Sequence, residues 1–295
     1  MSRMNKTLQK SYPALANKIG LPSLWIKHEY LNEAGSHKIR LLEKLIKDHL
    51  KKGEKNLVIS SSGNAAIAAA YYLTKYVKTK YNLMIFVSKN ISLEKIQRLK
   101  KIIVNCSNIK IKKVLRPKQQ AFLFSKKYKA IFLRGSTEPT APQAYYSLAK
   151  ELSQIPNLKS VFIPTSSGIT ALGLHQGFKK LKKKIEIHLV QTEKIHTLTR
   201  NFDHQFSSKK TSLANAIVDR VGLRKQEINK AIQESLGSGW IISDQALKQA
   251  KKLLQTKTDI SINTYNSLLS LAGVIKAKET KWPLSGTICC LFTGY

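Results

Sequence analysis

Lys38 is the residue whose setting most directly suggests chemistry. In the segment LWIKHEYLNEAGSHKIR, Leu24 to Arg40, it opens a helix just after Gly35 and Ser36. Backbone N–H groups at such a helix start favour a nearby anion, as a cofactor phosphate would be. A lysine that attacks an aldehyde must first lose its charge, and a positive helix terminus and partial burial both disfavour the ammonium form. The plain alternative is a surface lysine at a helix start. His37, beside it, either contacts a phosphate or is a solvated loop histidine.

Three further segments place polar groups where a strand gives way to a turn. In ISSSGNAAIAAA, Ile59 to Ala70, the turn residues Ser61, Ser62 and Gly63 precede a helix of small residues. Their amides and hydroxyls suit a carboxylate, and Asn64 offers an amide to a phenolate or ring oxygen, although an ordinary helix cap has the same composition. In VFIPTSSGITALGLHQGF, Val161 to Phe178, the turn Thr165, Ser166, Ser167, Gly168, Ile169 presents amides and hydroxyls that suit a phosphate. The apolar run TICCLF then delivers Thr293 and Gly294 to what would be a strand-end crevice.

These turns need strands and helices to hold them. Strands are predicted at Leu24 to Lys27, Asn56 to Ser60, Asn82 to Ser88, Ile102 to Cys106, Ala130 to Leu133, Ser160 to Pro164, Ile185 to Gln191, Trp240 to Ile242 and Thr287 to Phe292. Helices are predicted from Lys38, at Ala65 to Tyr76, Leu93 to Lys101, Gln143 to Leu152, Gly168 to Leu181, Arg224 to Leu236, Asp244 to Leu254 and Asn266 to Ala277, with a polar loop after Glu193 that runs through Phe206. Strands and helices that alternate at these lengths require crossovers, so the expected fold class is α/β: twisted, mostly parallel sheets covered by helices.

Bulk properties fit an ordinary folded protein. Of 295 residues, 42% are hydrophobic and 23% charged, unlike a disordered chain. Three cysteines, Cys106, Cys289 and Cys290, form no CxxC pair and read as reduced, buried thiols. No apolar stretch reaches the ~20 residues needed to span a bilayer, and MSRMNKTLQKSY lacks the apolar core of a secretory signal. A cytoplasmic protein with no membrane partner is therefore expected. The formal net charge of +34 comes mostly from scattered lysine and is either a solvated surface or a field that binds nucleic acid or another polyanion nonspecifically.

Taken in order, the four segments resemble the pyridoxal-phosphate enzymes of fold type II, the tryptophan-synthase-β-like superfamily, over nearly the whole chain. In that family a K-x-E-x-x-N-x-x-G-S-x-K-x-R stretch carries the cofactor lysine; here it reads Lys27, Glu29, Asn32, Gly35, Ser36, Lys38, Arg40. The resemblance implies pyridoxal 5'-phosphate held on Lys38 as a Schiff base, with His37 nearby. Substrate carboxylate would bind Ser61, Ser62 and Gly63, Asn64 would reach the ring hydroxyl, and Thr165, Ser166, Ser167, Gly168 and Ile169 would form the phosphate cradle. Thr293 would face the pyridine nitrogen, where a neutral hydroxyl favours elimination or replacement over transamination.

The chain departs from the family pattern at three places. Its phosphate turn has Ser166 and Ser167 where relatives have glycine, Ile39 follows the lysine where an acidic residue is frequent, and Thr264-Tyr265 stands where Glu-Pro is frequent. By the same resemblance residues 32–140 form a smaller mobile subdomain, and residues 1–31 with 141–295 the larger cofactor-binding one. The expected activity is β/γ-elimination or replacement on a small amino acid by a lyase or transferase, nearest to threonine synthase, with cysteine-synthase-like and serine/threonine-dehydratase-like reactions as alternatives. A homodimer is compatible with the family. The alternative of another class is a degenerate relative that has kept the fold and binds polyanions. No His or Cys spacing suggests a metal, and no acidic pair suggests glycosidase chemistry.

Overall fold

A computed structural model describes residues 6–61, 63–262 and 264–294, and the chain forms two units, one of Met1–Asn32 with Tyr145–Tyr295 and one of Glu33–Ala144. The larger unit begins with β1 (Gln9–Ser11), α1 (Pro13–Ile19) and β2 (Ser23–His28). Pro13 starts α1 and Gly20, at φ +77°, ends it, the arrangement that proline's fixed φ and glycine's freedom favour. β2 carries Lys27, which is fully buried.

The smaller unit follows as α2 (Lys38–Lys51), β3 (Asn56–Ser60), α3 (Asn64–Tyr76), β4 (Asn82–Ser88), α4 (Leu93–Ile102), β5 (Ile109–Val114), α5 (Pro117–Lys127) and β6 (Ile131–Phe132). Its strands form a parallel sheet in the order β5-β4-β3-β6. The middle strands β3 and β4 are the apolar ones, as a sheet covered on both faces requires. α2 buries Leu41, Leu42, Leu45 and Ile46 and packs on α3, whose buried Ala66, Ala68, Ala69 and Ala70 permit a close approach.

The larger unit resumes with α6 (Tyr146–Leu152), β7 (Leu158–Pro164), α7 (Ile169–Lys180), β8 (Glu186–Thr192), α8 (Lys225–Glu234), β9 (Gly239–Ile242), α9 (Asp244–Lys257), α10 (Tyr265–Glu279) and β10 (Thr287–Phe292). Among the described residues its sheet has six strands in the order β1-β2-β10-β7-β8-β9, parallel except for β1. All six residues of β10 are buried, which fits its place between β2 and β7. On β2, Lys27 Nζ lies 2.6 Å from Glu151 of α6 and 2.7 Å from the Thr7 carbonyl. Thr7 in turn donates to Glu29 at 2.6 Å.

The fold is α/β with parallel-rich sheets, as the sequence predicts. Two expectations need correction. Residues 102–106 are not a strand: Ile102 ends α4, Ile96, Leu99 and Ile103 share one helical face at and just beyond that end, and the strand is the Ile/Lys alternation of β5. Among the described residues β5 pairs only with β4, so lysine is tolerated on this edge. The polar loop after β8 runs to Arg224 rather than Phe206, and it is tied down. Asp203 accepts from the Ile241 amide at 2.7 Å and from Lys276 Nζ at 2.6 Å, and Asp244 accepts from the Leu213 amide at 2.9 Å. Cys289 and Cys290 are buried thiols, whereas Cys106 is half-buried. Among the described residues no helix is long and apolar enough to cross a membrane.

Candidate active site

The smaller unit positions Lys38 through the geometry of α2. This helix has 14 residues, about 21 Å at the usual rise, and only residues 52–55 join it to β3, which is about 17 Å long. α2 therefore runs back along the sheet, and its first residue comes to the carboxyl edge of β3. Ser61, Gly63 and the start of α3 lie on the same edge. Neither helix start has a side-chain cap, so the first-turn amides of α2 and α3 are directed at that edge without one.

Lys38 is half-buried, and burial lowers its pKa from 10.5 to about 8. Near neutrality a sizeable fraction of the amine is thus unprotonated, the form that attacks an aldehyde. Capture of pyridoxal 5'-phosphate by cofactor-free protein is expected to accelerate about tenfold per pH unit below pH 8 and to level above it. Stopped-flow absorbance across pH 6 to 10 measures this; a rate that keeps climbing to pH 10 would mean the amine is not desolvated.

The neighbouring groups are held by the backbone. Ser61 donates its amide to Phe86 O at 3.2 Å, and its hydroxyl accepts from the Gly63 amide at 3.2 Å. Asn64 is the first residue of α3, and Ser62 lies outside the described residues. His37 is 7% exposed, so the solvated-loop reading is discarded.

In the larger unit, β10 and β7 are parallel neighbours, with Cys290 opposite Phe162. Their ends therefore bring Thr293 and the turn after Pro164 to the same edge. Within the turn the roles differ. Thr165 is committed to structure, donating its amide to Val190 O and its hydroxyl to Ile163 O, both at 2.9 Å. Ser166 Oγ accepts from the Val218 and Asp219 amides, each at 3.1 Å, which leaves its own proton to donate. Ser167 is half-buried, and Ile169 turns its side chain into the core and contributes only an amide. No side chain caps α7. Two hydroxyls and the uncapped first-turn amides of a helix form a donor set that fits a phosphate.

Gly168 makes this turn possible. It sits at φ +80°, and a Cβ there would lie 2.1 Å from Ile228 Cδ1. Gly168→Ala is expected to cost about 1–2 kcal/mol from the left-handed backbone and about 1–3 kcal/mol from overpacking. Gly53, at φ +79° with nothing within 4 Å, supplies the control: Gly53→Ala carries only the backbone part. Denaturant midpoints of the two variants check this, and equal losses would refute the crowding argument.

Several positioning residues carry no signal in the sequence. Buried Ser267 of α10 donates to Gly294 O at 2.7 Å and accepts from the Gly294 amide at 3.2 Å, fixing the peptide that follows Thr293. Gln191 Nε2 donates to Thr165 O at 3.2 Å, and its Oε1 accepts from the Leu198 amide at 2.8 Å. His28, opposite Phe292 at the end of β2, hydrogen-bonds Tyr12 and Tyr30 through its two ring nitrogens. Burial drops its pKa to about 4, so it stays neutral at physiological pH.

A family model described as pyridoxal-phosphate dependent enzyme matches residues 6–294. The human serine dehydratase-like protein is 38% identical over 86 residues, 29% of this chain and 25% of that relative; the rat protein is 44% identical over 62 residues, 21% of this chain and 18% of its own length. These matches thus span a quarter or less of the relatives' length. Among solved structures, maize serine racemase superposes with a TM-score of 0.83 at 17% identity, covering 99% of this chain and 88% of that one. A fungal L-serine ammonia-lyase from Rhizomucor miehei gives 0.79 at 15% identity, with 100% and 95% covered. At such identities the likeness is one of fold.

Proposed function

Because this chain belongs to the pyridoxal-phosphate-dependent enzyme family, with pyridoxal 5'-phosphate as its cofactor, we propose that it catalyses β-elimination on a small hydroxy-amino acid of the serine or threonine type. The single observation that carries this reading is Lys38, an amine at a helix start whose burial brings its pKa to about 8. Lys38 would hold the cofactor, and its Nζ, once free, would take the proton from Cα. The Cβ–O bond would then break as the pair at Cα forms the Cα–Cβ double bond, and the hydroxyl would leave as water with the proton carried on Lys38 Nζ. When bound, pyridoxal phosphate supplies a conjugated ring that accepts the electron pair set free at Cα.

The other residues bind and orient. Ser61, Ser62 and Gly63 hold the substrate carboxylate, and Asn64 reaches the ring oxygen. Ser166, Ser167 and the amides of Gly168 and Ile169 hold the phosphate, while Thr165 shapes the turn. Thr293, steadied through Ser267 and Gly294, meets the ring nitrogen with a neutral hydroxyl, and this favours elimination. The human serine dehydratase-like protein and the fungal L-serine ammonia-lyase support serine as the substrate class.

Turnover of L-serine and L-threonine to ammonia and a 2-oxo acid, set against O-phosphohomoserine and against O-acetylserine with sulfide, tests the proposal. Activity on the hydroxy-amino acids is expected. Turnover of O-phosphohomoserine alone would replace it with the threonine-synthase-like reaction, and O-acetylserine alone with the cysteine-synthase-like one. A colourless protein inert on all four would favour the degenerate relative.

A further inference from the structure

The smaller unit carries a basic face whose crown is apolar, and neither the cofactor nor the amino-acid substrate uses it. From residue 95 to residue 137 the sequence contains no Asp or Glu, while Lys and Arg recur throughout. The middle of this stretch folds as β5 and α5. α5 packs on the sheet through buried Ala121 and half-buried Phe124, which meet Val58, Phe86 and Val114. At 100° per residue the opposite side of the helix then presents Phe122 and Leu123, 51% and 50% exposed, between Lys118, Lys126 and Lys127. On the edge strand, Lys110 and Lys112 pair with Met84 and Phe86. These partners belong to the cluster under α5, so both lysines stand on the same sheet face as the helix. Leu115 before α5 and Tyr128 after it are 78% and 53% exposed.

We propose that this face docks on an anionic phospholipid bilayer. Leu115, Phe122, Leu123 and Tyr128, each half or more exposed, lie close together in sequence, and an apolar phase would cover them. A nucleic acid offers phosphates and base faces but nothing aliphatic for Leu115 and Leu123. Recognition of carboxylates on a protein favours arginine forks, whereas the cations around this crown are mainly lysines, point charges on flexible stems. A charged headgroup layer above hydrocarbon accepts both features together: lysines at the phosphates, with Phe122 and Leu123 inserted between headgroups. A convex helix surface also suits a deformable, planar partner. The face adds peripheral attachment, which needs no spanning helix.

Sedimentation of the full-length holoenzyme with vesicles of phosphatidylcholine alone, and with 30% phosphatidylglycerol, tests the proposal. Binding to the anionic vesicles only, weakening as salt is added, is the expected result. Each lysine near the surface contributes about fivefold, so the K118Q/K126Q/K127Q variant is expected to bind roughly 100-fold more weakly. F122S/L123S is expected to lose roughly tenfold even at low salt. K182Q/K183Q/K184Q, which removes the same charge from the larger unit, is expected to stay within about threefold of the parent. Failure to bind anionic vesicles, or an equal loss in the 182–184 variant, overturns the proposal. So does tighter retention of a single-stranded oligonucleotide that the α5 variants abolish, or a self-associated form that F122S/L123S dissolves.

Discussion

Lys38→Ala is expected to lower turnover by about 10³-fold or more, since the side chain that holds the cofactor also moves the α-proton. The visible absorption of the purified protein is expected to vanish with it. Loss of activity through misfolding is separable by stability. The folded-state pKa of Lys38, about 8, lies below the ordinary 10.5, so burial penalises the folded protein fully below pH 8. That penalty fades as pH rises towards 10.5. Alanine removes it, and cofactor-free Lys38→Ala is therefore expected to melt no lower than cofactor-free parent at pH 7, with any advantage shrinking by pH 10. A variant that keeps its colour and turnover would remove the basis of the proposed function.

Glu151→Ala is expected to be the most damaging single change to stability away from the site. Lys27 and Glu151 meet at 2.6 Å with side chains 1% and 9% exposed, and deleting the carboxylate leaves a buried ammonium whose remaining partner among the described residues is the Thr7 carbonyl. A cost of roughly 3–5 kcal/mol follows. The double variant Lys27→Met/Glu151→Leu removes both charges and is expected to recover much of the loss, because two well-packed apolar side chains need no solvation. Chemical denaturation of the cofactor-free proteins measures both. A Glu151→Ala loss below about 1 kcal/mol would show that water reaches Lys27.

What the sequence discloses of the fold depends on where an element's information resides. β3, β4 and β10 are apolar runs bounded by turn residues and sit in sheet interiors, so their limits are readable from composition. β5 is missed because its lysines are permitted by an edge position, a property of the sheet rather than of the segment. β1, three polar residues, exists through its pairing with β2 and has no local signal of its own.

The site divides along the same line. Lys38, Asn64 and Gly168 stand out in the sequence because a turn beside a helix start is a local pattern, and each does open or precede a helix. Ser267 and the Val218–Asp219 peptide are not, because each acts on a residue 27 or more positions away. The state of the Lys38 amine is likewise invisible locally: burial alone lowers it, and burial is a consequence of the assembled fold.

The strand order of the larger unit bears on how the protein is made. Among the described residues β2 and β7 are joined into one sheet by β10, which lies between them and is the last of the strands in sequence. While a ribosome is still extending the nascent chain, both therefore offer open backbone edges to other polypeptides. The smaller unit, whose strands are all contiguous in sequence, can mature during translation; the larger one must await completion of β10, an interval in which a chaperone would have most to protect.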